Sequence, residues 1–249
     1  MKTSLTLTLS LTCLVALSSF GADSTPKEDI KAAAKKLAAK GSYSWKSSTE
    51  NANPNAGGRG RPGPVEGKID KEGFTALSMT RGENTTEAVL KDGKGAIKTA
   101  DGWKSLSEAA EGDGGGGGGG QRNPTRAAAR MLQNFKAPAA EAEDLADKAK
   151  DLKKADDVYS GELTEEGAKM LLTRNFRRPG AEAPSPTDPK GSIKFWVKDG
   201  VVTKYEFKVQ GSMSFNGNDI QIDRTTTVEI KEIGSTKVDI SEEAKKKLS

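Results

Sequence analysis

Alternating apolar and polar residues dominate the last third of the chain. Apolar side chains occupy most of the alternate positions in three runs, at residues 193–197, 201–209 and 220–230. The dipeptides Asp199-Gly200 and Asn216-Gly217 separate these runs, and both favour tight hairpin turns. A period of two that persists through two hairpin turns is typical of antiparallel strands with one buried face. We therefore predict a long three-stranded sheet in this region.

A second group of extended runs lies nearer the start of the chain. Tyr43 and Trp45 alternate with serines, and four more runs follow at residues 65–69, 74–80, 85–91 and 95–99. Turn-forming residues separate the runs, including an Asp-Gly dipeptide before the last of them. The pattern predicts an antiparallel meander.

Helical periodicity appears before, between and after these two groups. Thr25 and Glu28 form a capping box, which predicts a helix over residues 26–40. Further helices are predicted from Pro124, from Pro138 and after Thr164, together with a short strand near residues 158–163 and a short helical turn capped by Ser241. The order of elements predicts an α+β fold, with an antiparallel sheet and helices on one of its faces.

Three segments contain little that a core could bury. Residues 51–64 and 112–123 are rich in glycine, and residues 178–190 are rich in proline, alanine and serine. Glycine loses more backbone entropy on ordering than any other residue. We therefore predict that all three segments are loops.

The first residues have the layout of a secretory signal peptide. A basic start is followed by an apolar run from Leu5 to Leu17, and the small residues Ser19 and Gly21 come next. A membrane-spanning helix needs about 20 apolar residues, and this run is shorter. We predict cleavage after Gly21 or one residue later, so that residues 1–21 are the signal.

Export and a single domain follow from this interpretation. Residues 22–249 are predicted to form one α+β domain that is periplasmic or secreted. Cys13, the single cysteine, lies inside the apolar run and leaves with the signal. The mature chain would then contain no thiol for a disulfide, a zinc site or a nucleophile.

The remaining composition argues against catalysis and against binding of nucleic acid. The chain has no histidine, which excludes Ser-His-Asp mechanisms and histidine metal sites. The carboxylates near Glu141 fit a solvated helix face. The net charge of +4 is small, and aromatic residues make up 5% of the chain. We predict no enzymatic activity, no catalytic residue, no metal site, no cofactor and no nucleic-acid partner.

Three passages resemble the lipoprotein-carrier superfamily, the LolA-like and LppX-like periplasmic proteins. Residues 87–99, which lead to Gly102-Trp103, resemble the central hairpin of that fold. Residues 191–207 resemble its late hairpin, and residues 225–230, followed by an expected final acidic strand, resemble its closing edge. The resemblance covers most of the mature chain in topology.

This resemblance implies a half-barrel, in which a curved antiparallel sheet wraps helices on its concave face. In that family the cavity shelters acyl chains in an aqueous compartment. The implied function is a non-enzymatic carrier or binder of a lipid or other apolar ligand in the cell envelope. The alternative is a structural or protein-interaction module of the envelope with a filled core and no ligand.

The period of the strands gives a set of residues for the wall of the cavity or core. They are the large apolar residues at alternating strand positions: Tyr43, Trp45, Leu77, Met79, Leu90, Ile97, Trp103, Phe195, Tyr205 and Phe207. The expected partners are lipid or lipoprotein acyl chains, with an envelope protein as a further possibility, and the protein is expected to be a monomer.

Overall fold

The computed structural model describes residues 24–52, 63–111, 124–174, 185–215 and 218–248. The predicted signal peptide, most of the two glycine-rich segments and the Asn216-Gly217 turn lie outside these ranges. None of the helices within them is long and apolar enough to cross a membrane.

Eleven strands form one antiparallel sheet. The elements in chain order are α1 (Pro26–Ala39), β1 (Tyr43–Asn51), β2 (Val65–Ile69), β3 (Thr75–Arg81), β4 (Asn84–Lys91), β5 (Lys94–Thr99), β6 (Gly102–Ser105), α2 (Leu106–Glu111), α3 (Pro124–Leu132), α4 (Pro138–Asp147), β7 (Ala149–Ala155), β8 (Val158–Leu163), α5 (Glu165–Thr173), β9 (Thr187–Lys198), β10 (Val201–Phe215), β11 (Asn218–Lys231) and α6 (Glu242–Lys246). The strand order is β6-β5-β4-β3-β2-β1-β11-β10-β9-β8-β7, so the sheet is open, with β6 and β7 at its edges. The predicted fold class is confirmed.

Pairing of β1 with β11 joins the two predicted groups of strands into one sheet. Trp45 lies opposite Ile230, and Thr49 lies opposite Thr226. The resemblance to the carrier superfamily implied that residues 225–230 lie at the closing edge of the sheet, and this was wrong, because β11 has a partner on each side. A final strand after β11 was also expected, but the chain there runs through turns into α6.

The hairpin turns and helix caps follow the sequence signals. Asp92 and Gly93, and likewise Asp199 and Gly200, all have positive φ, as tight turns between twisted strands require. The Thr25 side chain accepts a hydrogen bond from Glu28 N, and the Glu28 side chain accepts one from Thr25 N. These local contacts fix where α1 begins and where two hairpins turn.

The edge strands β6 and β7 were not predicted from the sequence. β6 has only four residues, and β7 is rich in lysine, with most of its side chains exposed. Short or charged edges prevent a sheet from pairing with another chain, but they carry no clear apolar alternation. The predicted loop at 178–190 was also too long, since β9 begins at Thr187.

Helices α1–α5 pack on one face of the sheet, which we call the inner face. Their buried residues form a single apolar cluster with the inner side chains of the strands. The short C-terminal helix α6 lies apart from the other five. Ala244 of α6 packs with Val89, Ile240 and the partly buried Trp103 in a separate cluster on the outer face.

Candidate functional site

The helices on the inner face form two groups. The first group consists of α1, α4 and α5, which contact each other or the strands β7–β10. The second group consists of α2 and α3, which contact each other and β5 or β6. The middle strands β11, β1, β2, β3 and β4 lie between these groups. We call the inner face of these five strands the trough, and it is the candidate site.

One end of the trough is filled by aromatic side chains. The Trp45 ring is stacked on Phe135 with 6.0 Å between centroids, and Tyr43 is tilted against Trp45 at 5.8 Å. The Tyr43 hydroxyl accepts a hydrogen bond from Ala139 N at 3.4 Å, which ties the start of α4 to β1. We call this part, made of Tyr43, Trp45 and Phe135, the closed end.

The other end of the trough is less covered. Along β1, inner residues change from buried at Tyr43 and Trp45 to partly exposed at Ser47, Thr49 and Asn51. The same change occurs on the neighbouring strands. The partly exposed inner residues that we call the open end are Ser47, Thr49, Val65, Met79, Thr86 and Thr226.

The open end combines apolar side chains with a pair of threonine hydroxyls that are hydrogen-bonded to each other. Val65 lies between Ser47 and Met79 in the strand register. Thr49 Oγ1 and Thr226 Oγ1 are 3.1 Å apart and share a hydrogen bond. Hydroxyls that are already bonded to each other cost less to cover than unpaired ones. The open end therefore places the apolar side chains of Val65 and Met79 beside a hydroxyl pair that is already hydrogen-bonded.

Polar groups border the trough on the side of α4 and α5. The Tyr205 hydroxyl donates to Glu141 Oε2 at 2.7 Å, and Arg174 donates to the other oxygen of the same carboxylate. Burial, with the negative charge of Glu141 close by, raises the pKa of Tyr205 well above its ordinary value. Arg224, on the inner side of β11, donates to the carbonyl oxygen of Leu171 in α5.

The structure places the ten predicted wall residues in three environments. Seven are at most 5% exposed and belong to the inner cluster: Tyr43, Trp45, Leu77, Ile97, Phe195, Tyr205 and Phe207. Met79 and Leu90 are partly buried against that cluster. Trp103 lies on the outer face, against the segment that carries α6. The residues brought together therefore form chiefly a packed core, and Met79 is the one that belongs to the open end.

Sequence reasoning missed the polar members of the trough. Ser47 and Thr49 continue the inner register of Tyr43 and Trp45, and Thr226 and Arg224 continue that of Val228. The predicted wall residues were all large apolar residues, so these polar residues were not among them. The alternation of β1 extended past Trp45 would have found Ser47 and Thr49.

A polar groove of about 370 Å³ lies elsewhere, between α1 and two hairpin turns. Asp29, Asp156, Asp157 and Asp199 line it, together with Lys36 and Lys154. No group of three or more acidic, histidine or cysteine side chains in the described part of the chain could hold a metal ion. Charged side chains therefore border this groove, and none of its lining residues belongs to the open end.

Comparison with known proteins gives a likeness of fold. No family model matches the sequence, and no curated protein matches it. Among solved structures, the chain is similar to LprF from Mycobacterium bovis, with a TM-score of 0.42 and 10% sequence identity. The similarity covers 88% of this chain and 96% of that chain. It concerns the fold alone and gives no information on a ligand.

Alkaline pH should weaken the closed end through Tyr43. Burial raises the pKa of Tyr43 to about 12 from 10.0. Because the folded state holds the proton more tightly than the unfolded state, this contribution is complete below pH 10 and is lost as the pH rises towards 12. The free energy of unfolding should fall by up to about 3 kcal/mol over this range through Tyr43 alone.

Urea denaturation at a series of pH values checks this expectation. The Tyr43→Phe variant should show a shallower fall than the wild type between pH 10 and 12. Equal slopes for the two proteins would contradict the assignment to Tyr43, since other groups that titrate in this range are common to both.

Proposed function

We propose that this protein is exported and binds a lipid or other apolar ligand, without catalysis, at the open end of the trough. The observation that carries the proposal is the division of the inner face. Two helix groups cover its sides, and Val65 and Met79 stay partly exposed between them. In the described part of the chain, this face between the two helix groups therefore offers partly exposed apolar side chains to a ligand with its own apolar surface.

The expected binding free energy fits a carrier that binds its ligand reversibly. Each buried methylene contributes about 0.8 kcal/mol, so ten methylenes supply about 8 kcal/mol, which corresponds to micromolar affinity. Ordering of the ligand and of the side chains reduces this gain. Because this net gain is small, we expect the open end to cover part of an acyl chain and not its whole length.

A second candidate function is a structural or interaction module with a filled core. The burial of seven of the ten predicted wall residues favours it, because these side chains already occupy the inner face. The two functions differ at the open end. A carrier binds a neutral apolar probe there, and a filled module does not.

Binding of the fluorescent methyl ester of dansylundecanoic acid tests the proposal. The wild-type protein should bind this neutral probe with a dissociation constant on the order of 1 μM. Met79→Glu should weaken binding about tenfold or more, because the ligand would bury a carboxylate. Met79 is partly exposed, so the variant should still fold.

Thr80→Glu is the matched control. It adds the same charge to the same strand, but on the outer face, because successive strand residues point to opposite sides. Its affinity for the probe should equal that of the wild type, and circular dichroism should show that all three proteins are folded. A folded wild-type protein that does not bind the ester would favour the filled module.

A further inference from the structure

Among the described residues, no carboxylate forms an ion pair with Arg224, which lies beside the open end. Arg224 is on the inner side of β11, opposite Asn51 of β1 and two residues from Thr226. Among the described residues, the hydrogen bond found for its side chain runs from Nη2 to the Leu171 carbonyl oxygen. A guanidinium has five N–H donors, so most of its capacity is unused by this contact.

Nearby carboxylates are engaged elsewhere. Asp223 belongs to the outer face, where it accepts from Gln210 Nε2 at 2.7 Å and lies 3.1 Å from Lys208 Nζ. Glu141 is shared between Tyr205 and Arg174. Within the described part of the chain, Glu141 is therefore paired with Arg174, and the charge of Arg224 has no carboxylate partner.

A structural role explains the Leu171 contact but not the charge. A cation near the last carbonyls of a helix is favourable, and this accounts for one donor of Arg224. Burial, with the Arg174 guanidinium nearby, lowers the pKa of Arg224. A partly buried cation is costly unless an anion accompanies it, so the position favours a negatively charged partner.

We infer that the ligand of the open end is an amphiphile with an anionic head, a carboxylate or a phosphate, that Arg224 binds. This inference rests on the proposed apolar site, because it assigns the head of the ligand that the site holds. Arg224 offers the planar, forked donors that bind the two oxygens of such groups. Arg174, at the end of α5, adds positive charge at the same border.

The test compares charged and neutral ligands on the full mature chain. Dansylundecanoic acid should bind the wild type about tenfold more tightly than its methyl ester, as expected for a charge-assisted hydrogen bond. Decanoate and decyl phosphate should displace the ester better than decanol, and the stronger of the two identifies the head group. Inorganic phosphate alone should displace nothing.

Arg224→Gln keeps an amide donor for Leu171 but removes the charge. It should lose the preference for the acid, so that the ratio of the two affinities falls to about one. Lys208→Gln removes a cation from the outer face of the neighbouring strand and should keep the preference. If Arg224→Gln does not fold, the ratio of the wild-type affinities for the acid and the ester still shows whether the site prefers an anionic head.

The outcomes separate the two proposals. Equal affinity of the wild type for acid and ester, or a folded Arg224→Gln that keeps the preference, overturns the anionic head and leaves the apolar site standing. A wild type that binds no ester, or that loses the ester to inorganic phosphate alone, overturns the apolar site and the inference with it.

Discussion

Phe207→Glu is expected to unfold the protein or to lower its melting temperature by about 10 °C or more. Phe207 is 5% exposed, belongs to the inner cluster and lies between Ile193 and Thr226 in the register. Loss of a buried phenylalanine costs about 3–5 kcal/mol, and a buried carboxylate adds to that cost. Small domains have total stabilities of about 5–15 kcal/mol.

Ser192→Glu is the control for this substitution. Ser192 is exposed on β9 and lies opposite Lys208 on the outer face. Thermal denaturation followed by circular dichroism should show a melting temperature near that of the wild type. A folded Phe207→Glu protein with wild-type stability would mean that Phe207 lines an open cavity and not the core.

Gly67→Ala is the second substitution with a large expected effect. A Cβ at position 67 would overlap the indole ring of Trp45, which lies directly opposite on β1. The ring cannot move away freely, because Tyr43 and Phe135 pack against it. Overpacking of this kind costs about 1–3 kcal/mol, and more where the neighbours are fixed. Urea denaturation should show a lower midpoint.

A double-mutant cycle distinguishes this clash from a general loss of strand geometry. In a Trp45→Leu background the ring is absent, so Gly67→Ala should cost much less than in the wild type. The difference between the two costs is the coupling energy of the pair. A coupling energy near zero would contradict the close approach of Trp45 to the β2 backbone.

The strands with strong alternation could be predicted from the sequence. The limits of β2 and β8 agree with the predicted ones, and the predicted helix at 26–40 differs from α1 by a single residue. These elements have a buried face, which leaves a period in the sequence. The edge strands β6 and β7 bury little. Their pairing depends on the neighbouring strand, and the sequence records it weakly.

The candidate site was harder to predict, because exposure depends on which helices cover which strands. Trp45 and Met79 both occupy inner strand positions, but the first is buried and the second is partly exposed. The pairing of β1 with β11 and the separation of the two helix groups create this difference. Neither feature is local in sequence. Arg224 could not be predicted from apolar alternation, because it is a charged residue at an inner strand position.

Native mass spectrometry of the protein purified from the cells that naturally produce it tests the ligand site most directly. The wild type should carry added mass, released on denaturation as an anionic lipid or other amphiphile. Met79→Glu, prepared in the same way, should carry much less, and Thr80→Glu should match the wild type. A folded wild-type protein whose native mass equals that of its polypeptide would contradict the proposed carrier function.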